Sequence, residues 1–295
     1  MPETPFFSVV IPTYNRAHHI VHTLSTVLKQ SYRSFEVIVV DDGSTDNTEE
    51  VVASIQTAQV SYYRQKNGER AKARNYGVQQ AKGQYITFLD SDDEMYPDCL
   101  QEALRIIEAN EQAAFVQVGY EMKNVEGKVL YKNNRRKGDL NKQLVRGNLL
   151  SCIGVFVRQD IIRQHRFNED RKLSGTEDWE LWLRLASRYR IHYSNQVVAA
   201  IINHEERSVL NVEEKTLRLR IDLAMQYAFE DTQVQAYYGS YYHLMYAHLF
   251  LYISLHLILS KKKKLGLTYW WRSLRRAPHL LFTRKTLAIF KHLLR

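Results

Sequence analysis

Short apolar runs alternate with amphipathic segments along the first part of the chain. Three runs, Phe7–Ile11, Phe35–Val40 and Tyr85–Leu89, are rich in β-branched or aromatic residues and have the length of buried strands. Between these runs, apolar positions recur every three or four residues, which is the spacing of one helix face. Because strands separated by helices need crossover connections, the pattern predicts a mostly parallel, Rossmann-like sheet flanked by helices.

The remaining elements follow from the same two periodicities. Helices are predicted over Asn15–Lys29, Arg70–Ala81 and Asp98–Glu108 and from Thr176 onward, with Asn15 and Thr176 as candidate caps. A further helix is predicted to carry Val51, Val52 and Ile55, with its cap among residues 44–47. Strands are predicted over Val60–Tyr63, Phe115–Tyr120, Ile153–Val157, Ile191–Tyr193 and Val197–Ile202. From Asn211 onward the pattern is helical throughout. We therefore expect an α/β domain over residues 1–209 and a helical extension over residues 210–295.

Polar residues follow three of the predicted strands at the point where each strand ends. These segments are Pro12–Arg16, Asp41-Asp42 and Asp90–Asp93. In a parallel sheet, ligands bind beyond the carboxyl ends of the strands, so the three segments are expected to converge on one site. A single such strand end would indicate only a turn.

Each of these segments also has a simpler interpretation. The carboxylates of Asp90–Asp93 suit Mg²⁺ or Mn²⁺, but they also suit a solvated loop that caps the following helix. Asp41-Asp42-Gly43 is typical of a hydrogen-bonded turn. Tyr14 could stack on a flat heterocycle or pack as a partly buried residue. Only the combination of segments favours a binding site.

The composition excludes several classes of protein. Hydrophobic residues make up 45% of the 295 residues and charged residues 25%, which excludes a disordered or fibrous chain. Two cysteines, Cys99 and Cys152, cannot by themselves form a disulfide framework or a structural zinc site, so a cytoplasmic location is expected. Met1–Phe7 has no apolar core of its own, and no secretory signal is expected there.

The net charge of +9 is concentrated in the last part of the chain. Residues 261–295 contain 11 Lys and Arg and no Asp or Glu, which leaves 30 basic and 32 acidic residues before them. The apolar stretch Tyr241–Ser260 is interrupted by three histidines, so we expect it to pack on the body or to lie at a membrane surface. Lys261–Lys264 and Trp270-Trp271 favour an anionic membrane surface over nucleic acid, and a solvated helical hairpin is the alternative.

Five segments, taken in order, resemble the family 2 glycosyltransferases, which are nucleotide-sugar-dependent enzymes with the GT-A fold. The segments are Ser8–Arg16, Glu36–Asp46, Ala73–Gly77, Ala81–Asp93 and Thr176–Arg184. The resemblance covers roughly residues 6–209 and does not extend over the tail. It implies a GT-A type α/β fold with a C-terminal helical extension.

The resemblance implies a nucleoside-diphosphate-sugar donor, with a UDP-sugar as the first choice. The residues that it places against the donor are Pro12, Thr13, Tyr14, Arg16, Asp42, Arg74, Asp90, Ser91 and Asp92. In relatives, the residues matching Thr13 and Tyr14 line the base pocket, and the one matching Asp42 accepts a hydrogen bond from the base. Arg74 would help to hold the nucleotide, and Asp90 would lie near the ribose.

The resemblance also implies a divalent metal and a catalytic base. Asp90-Ser91-Asp92 is similar to the family's DxD motif, in which Asp92 would bind Mn²⁺ or Mg²⁺. His204, followed by Ser208, is similar to a histidine that contributes to the metal or diphosphate site, although a single His after an apolar strand is also a common structural residue. Asp178 resembles the catalytic base, and an acid in the first turn of a helix is the alternative interpretation.

These residue types fit glycosyl transfer with inversion. A leaving diphosphate gains negative charge that a divalent cation neutralises, and the attacking hydroxyl must lose its proton to a carboxylate on the opposite face of the sugar. One base without a covalent intermediate implies a single displacement. The expected acceptor is a saccharide or lipid-linked molecule, as in polysaccharide biosynthesis, at the cytoplasmic face of the membrane.

Two points stay open at this stage. His165–Glu169 lacks the Gly that relatives often carry in a segment that contacts acceptors, so the acceptor is undetermined. A non-catalytic nucleotide-sugar-binding protein on the same fold is the alternative hypothesis for the function. A dinucleotide oxidoreductase is disfavoured because no Gly-x-Gly-x-x-Gly follows the first strand, and no Gly-Lys-Ser/Thr phosphate loop is present.

Overall fold

The computed structural model of the protein describes residues 4–134, 137–204 and 213–293. Nine strands within these ranges form one sheet: β1 Phe7–Thr13, β2 Phe35–Asp41, β3 Val60–Arg64, β4 Tyr85–Phe88, β5 Glu94–Met95, β6 Phe115–Asn124, β7 Val129–Asn133, β8 Val155–Arg158 and β9 Ile191–Asn203. The strand order is β3-β2-β1-β4-β8-β6-β9-β5, and β7 pairs with β6.

Twelve α-helices are found in the same ranges. They are α1 Ala17–Leu28, α2 Thr48–Ala53, α3 Glu69–Gln80, α4 Cys99–Ala109, α5 Leu140–Gln143, α6 Gln159–Gln164, α7 Glu177–Ala186, α8 Glu214–Glu230, α9 Thr232–Tyr238, α10 Tyr242–Leu259, α11 Lys263–Arg276 and α12 Arg284–Leu293. Short 3₁₀ segments occur at Leu144–Arg146, Arg171–Leu173, Gly239–Tyr241 and Pro278–Phe282.

The central strand β1 is buried on both faces because its side chains alternate between two hydrophobic layers. Val9 and Ile11 pack with the apolar faces of α1 and α4, whereas Val10 packs on the opposite side with the layer that contains α3, α7 and α8. This alternation follows from the period of two along a strand, and it explains why the β1 run is apolar throughout.

Four neighbouring strands are parallel and bring their carboxyl ends to the same edge of the sheet. β1 pairs in parallel with β2 and with β4, and β2 pairs in parallel with β3. The crossover helices α1, α2 and α3 make these pairings possible. The loops after β1, β2, β3 and β4 are therefore neighbours, as the strand pattern predicts.

The other half of the sheet is mixed rather than mostly parallel. β8 runs antiparallel to both β4 and β6, and β5 runs antiparallel to β9. A tight turn with Gly127 at φ +81° joins β6 to β7 in an antiparallel hairpin. The two strands predicted over 191–202 are one strand, β9, whose register shifts opposite Gly119.

The last five helices, α8 to α12, form the helical region beyond the sheet, and α10 lies at its centre. Gly266 of α11 approaches α10 so closely that an added Cβ would lie 2.5 Å from Ile258, and Ser273 donates a hydrogen bond to the Ala247 carbonyl at 2.7 Å. The stretch Thr232–Leu259 has the length and mean hydropathy (1.3) to cross a membrane, but half of it is buried in the protein. The division expected at residue 209 lies outside the described residues and stays a prediction.

Candidate functional site

A cavity of about 480 Å³ opens at the edge of the sheet where the parallel strands end, and we call it the strand-end cavity. It is lined by Pro12, Thr13, Tyr14, Arg16, Asp42, Asn67, Glu69, Arg70, Asp90, Ser91 and Asp92. The three strand-end segments therefore converge as expected. All residues predicted to bind a donor line this cavity except Arg74, and their roles stay predictions.

The loop after β1 is shaped by Asn15, which has a left-handed backbone with φ +50°. Its backbone N–H donates to Ser44 Oγ at 2.8 Å, and its side-chain oxygen accepts from the Thr45 N–H at 2.8 Å. Asn15 thus joins two loops and does not cap α1, which begins after Arg16 without a side-chain cap. The neighbouring Tyr14 remains 47% exposed at the cavity, so one aromatic ring is available for stacking.

The two aspartates that end β2 have different roles. Asp41 is buried and accepts hydrogen bonds from the Ser44 N–H and the Tyr62 hydroxyl, so it holds the turn. Asp42 accepts from Gln65 Nε2 and from the backbone N–H groups of Gly68 and Glu69, at 2.7–2.8 Å. Burial raises the pKa of Asp42, and these hydrogen bonds oppose that shift. Since a carboxylate offers about four acceptor positions, one is left for a ligand donor.

The loop after β3 and the start of α3 supply further cavity residues, of which Asn67 and Glu69 were not predicted to bind the donor. Asn67 donates from its amide to the Asp42 carbonyl at 3.0 Å, and Glu69 has a left-handed backbone with φ +75°. Burial opposes the charge on Arg70, but nearby Glu177 and Asp90 outweigh it and raise the pKa of this arginine. The sequence did indicate that residues after β3 belong to the site, because a third parallel strand must end at the same edge of the sheet.

Arg74 lies behind the cavity wall with only 2% of its side chain exposed. Its guanidinium donates to Asp90 Oδ1 at 2.7 Å and to Glu177 Oε1 at 2.9 Å, and it lies over the Phe167 ring. The three side chains form a buried ionic link between the loop after β4 and the start of α7. In this arrangement Arg74 positions Asp90, and direct contact with a nucleotide stays a prediction.

Asp92 and His204 meet at one side of the cavity. His204 Nε2 lies 3.0 Å from Asp92 Oδ2, and Arg16 Nε lies 3.7 Å from the same oxygen. The other ring nitrogen of His204, Nδ1, is buried and has no hydrogen-bond partner in the part of the chain that the structure describes. The neighbouring Asp93 instead accepts from the Ile202 N–H at 3.0 Å and joins this loop to β9. Ser208, predicted beside His204, lies outside the described residues.

Asp178 lies in the first turn of α7, next to the buried Glu177. Its Oδ2 accepts from Asn148 Nδ2 at 3.0 Å, and its Oδ1 accepts from the Trp179 N–H at 2.7 Å. Burial and the charge of Glu177 raise the pKa of Asp178 to about 7, against the opposing effect of Arg74. A carboxyl group with this pKa can gain and lose a proton near neutrality, as a general base must.

The donor set of Asp92 and His204 fits a divalent cation that is completed by a substrate. Among the residues that the structure describes, no group of three or more His, Cys, Asp or Glu side chains could hold a metal ion alone. One carboxylate and one imidazole nitrogen leave coordination positions for the oxygens of a diphosphate, which is how Mg²⁺ and Mn²⁺ are commonly bound. The Nδ1 of His204 is a buried polar atom without a hydrogen-bond partner among the described residues.

Comparison with known proteins identifies the family and the fold of this chain. The family model described as glycosyl transferase family 2 matches residues 8–162. An uncharacterised glycosyltransferase of Rickettsia conorii is 32% identical over 187 residues, which are 62% of this chain and 30% of that protein. The chain therefore spans less than a third of the length of this relative.

Two solved structures share the GT-A fold over most of this chain. S. aureus TarS residues 1–349, in complex with UDP-GlcNAc, matches with a TM-score of 0.61 and 21% identity, covering 92% of this chain and 88% of that one. The mannosyltransferase PcManGT of Pyrobaculum calidifontis, in complex with GDP-Man and Mn²⁺, matches with a TM-score of 0.60 and 16% identity, covering 99% and 87%. At these identities the likeness establishes the fold only.

Proposed function

The chain belongs to the family 2 glycosyltransferases, and on that premise we propose that it transfers a sugar from a nucleoside-diphosphate-sugar to an acceptor hydroxyl group. We propose a UDP-sugar as the donor, inversion at the transferred carbon, and a saccharide or lipid-linked acceptor. The observation that carries the proposal is the strand-end cavity, where an exposed aromatic ring, one open acceptor position on Asp42, and Asp92, which contacts His204, face the same space.

The strand-end cavity offers a place for each part of such a donor. Tyr14 supports stacking of the base, and Asp42 supports a hydrogen bond to it. Arg70 and Arg16 line the same cavity and supply positive charge for a diphosphate. Asp90 is held in place by Arg74, so we place the ribose beside it. TarS and PcManGT bind nucleotide-sugars on the same fold, which supports this assignment.

We propose that Asp92 and His204 hold a divalent cation, Mn²⁺ or Mg²⁺, together with the donor diphosphate. Such a cation neutralises the charge that grows on the leaving diphosphate. The mannosyltransferase of Pyrobaculum calidifontis was solved with Mn²⁺, which supports use of a metal within this fold.

We propose that Asp178 accepts the proton of the attacking acceptor hydroxyl. Its environment keeps its pKa near 7, so an appreciable fraction is deprotonated and able to act as a base at neutral pH. The ionic link from Asp90 through Arg74 to Glu177 fixes the start of α7 against the loop that carries Asp92. One carboxylate base opposite the leaving group leads to a single displacement and hence to inversion.

Calorimetric titration of the full chain with UDP, with and without Mn²⁺, tests the donor and metal sites together. UDP binding is expected to need the metal and to weaken at least about tenfold in Asp92→Ala, because one of two protein ligands is lost. Asp98→Ala is the matched control, since this exposed carboxylate lies outside the cavity wall. Metal-independent binding of equal strength in Asp92→Ala contradicts the proposal.

A further inference from the structure

A second cavity, of about 530 Å³, lies among the C-terminal helices and is strongly basic. One wall comes from α5 and the 3₁₀ segment Leu144–Arg146, the opposite wall comes from the Pro278–Phe282 segment and the start of α12, and α10 forms the floor. Its ionisable lining residues are Lys142, Arg146, His248, His279, Arg284 and Lys285. We call it the basic cavity. No carboxylate is part of its described lining.

The cations of the basic cavity have no carboxylate partner among the described residues. Within residues 4–134, 137–204 and 213–293, none of Lys142, Arg146, Arg284 and Lys285 forms an ion pair with a carboxylate. The ammonium of Lys285 instead lies 3.5 Å from the backbone carbonyl of Arg146, which places two positively charged residues side by side. A cluster of like charges that the fold holds together without counterions is the arrangement expected of an anion site.

The protonation behaviour of the cluster agrees with this geometry. Burial and the neighbouring Arg146 lower the pKa of Lys285. Burial, Lys285 and Arg146 lower the pKa of His248 to about 4, so this imidazole is neutral at physiological pH. An incoming anion would offset the charge repulsion that adds to the effect of burial in both shifts.

A third, smaller cavity of about 210 Å³ lies between the basic cavity and Asp178. It shares Arg146, His248 and Lys285 with the basic cavity, so the two are adjacent. Its other wall includes Trp179 and Asn148, and the Asn148 amide donates to Asp178 Oδ2. The basic cavity therefore lies on the Asp178 side of the site, away from the residues that line the strand-end cavity.

We propose that the basic cavity binds a phosphate group, and that this phosphate belongs to the acceptor whose hydroxyl is deprotonated at Asp178. The assignment to the acceptor rests on the proposed glycosyl transfer, whereas the phosphate site rests on the cavity alone. A phosphate supplies one or two negative charges and several acceptor oxygens to a guanidinium and an ammonium group that pair with no carboxylate of the described residues.

The mixed lining of the basic cavity restricts the form of the ligand. Leu244, Leu251 and Leu280 make part of its wall apolar, so the ligand combines a phosphate with carbon groups beside it. A water-soluble phosphodiester and a phosphate at the head of a lipid both have this chemistry. The donor diphosphate is not the ligand, because it is placed in the strand-end cavity.

Protection of Lys285 against acetylation tests the proposal directly on the full chain. The side chain is half-buried but accessible from the cavity, and its lowered pKa makes the amine reactive. The probes are glycerophosphoglycerol, as a soluble phosphodiester, and vesicles of phosphatidylglycerol, with vesicles of phosphatidylcholine as the uncharged reference. Mass spectrometry compares the labelling rate at Lys285 with that at the exposed Lys291 of the same chain.

Saturating probe is expected to slow labelling of Lys285 about tenfold and to leave Lys291 unchanged. In Arg146→Ala the concentration for half-protection is expected to rise about tenfold, because one charged hydrogen-bond donor is lost. Arg275→Ala, an exposed arginine outside the cavity, is the matched control and should behave like the wild type. Protection by glycerophosphoglycerol identifies a soluble phosphodiester as sufficient, and protection by anionic vesicles alone identifies a lipid headgroup.

The result that overturns the proposal is unprotected Lys285 with both phosphate probes, or equal protection in Arg146→Ala. UDP binding is measured on the same preparation by calorimetry, so that the two proposals can fail separately. UDP binding without protection of Lys285 removes the phosphate site and leaves the proposed transfer. Protection of Lys285 in a chain that binds no UDP supports the phosphate site and removes its assignment to an acceptor.

Discussion

The strand-end cavity and the basic cavity differ in whether their positively charged side chains are paired with carboxylates. Behind the first, Arg74 is held between Asp90 and Glu177. In the second, Arg146 and Lys285 are adjacent and have no carboxylate partner among the described residues. The compensated charges hold loops in place, whereas uncompensated charges are typical of a site that binds an anion.

The position of Asp178 relates the two cavities to the proposed reaction. It lies next to Glu177, at the end of the ionic link that leads to Asp90, and its partner Asn148 lines the small cavity beside the basic cavity. Asp178 is therefore linked through neighbouring side chains to both the donor site and the acceptor site that we propose. Substitutions that change catalysis, folding stability or lipid binding one at a time can test the two cavities separately.

The largest effect is expected for Asp178→Asn. An amide cannot accept the acceptor proton as a carboxylate does, so the transfer rate should fall about 10²- to 10⁴-fold. UDP binding in the presence of Mn²⁺ should stay within about twofold of the wild type, because Asp178 lies outside the strand-end cavity. Release of UDP from a panel of UDP-sugars, together with calorimetry, measures both quantities.

The pH profile provides the control for the role of Asp178. Because its pKa is raised to about 7, the wild-type rate should rise with pH through that value and level off above it, where the base is deprotonated. The Asn variant should lose this rising limb. A wild-type rate that is independent of pH between about 5 and 8 argues against Asp178 as the base.

The next largest effect is a difference in stability between two variants. One removes an arginine that is paired with carboxylates, and the other removes a lysine that has no carboxylate partner among the described residues. Arg74→Met leaves the nearly inaccessible Glu177 carboxylate, with 4% exposure, without its partner and should lower the free energy of unfolding by about 3–5 kcal/mol. Lys285→Met keeps a similar shape but removes one charge from a repelling cluster, so its stability should equal or exceed that of the wild type. Thermal melting followed by circular dichroism compares the two variants.

Equal destabilisation by the two methionine substitutions would remove the distinction between the cavities. If Arg74→Met melted like the wild type, the buried link from Asp90 to Glu177 would not hold the site together. If Lys285→Met melted far below the wild type, the lysine would have a structural role in place of a binding role.

The strand-end site was predictable because its residues belong to short segments with strong local patterns. Apolar runs such as Phe7–Ile11 define parallel strands, and a parallel sheet brings the loop ends to one edge. The same logic extends to Asn67 and Glu69 after β3, which carry no motif of their own. The orientation of individual side chains was not predictable, since Asn15 joins two loops and does not cap α1.

The basic cavity could not be predicted from local patterns. Arg146, His248 and Lys285 lie about a hundred residues and then some forty residues apart in the chain. They come together because α10 packs against the 3₁₀ segment Leu144–Arg146 on one side and against α12 on the other. The sequence placed the excess charge in the tail but could not show which cations face inward. The mixed half of the sheet was missed for a related reason, because antiparallel pairing of β8 depends on partners that are distant in sequence.

The smallest effect is expected at the exposed surface of the C-terminal helical region. Phe282 is 86% exposed and Trp271 57% exposed, and Phe282 belongs to the segment that forms one wall of the basic cavity. We expect Phe282→Ala to weaken binding to phosphatidylglycerol vesicles about five- to tenfold, since one aromatic side chain no longer enters the interface. Val125→Ala, at an exposed hairpin turn, is the control. Sedimentation with vesicles measures the loss, and binding equal to the wild type would place lipid contact elsewhere on the chain.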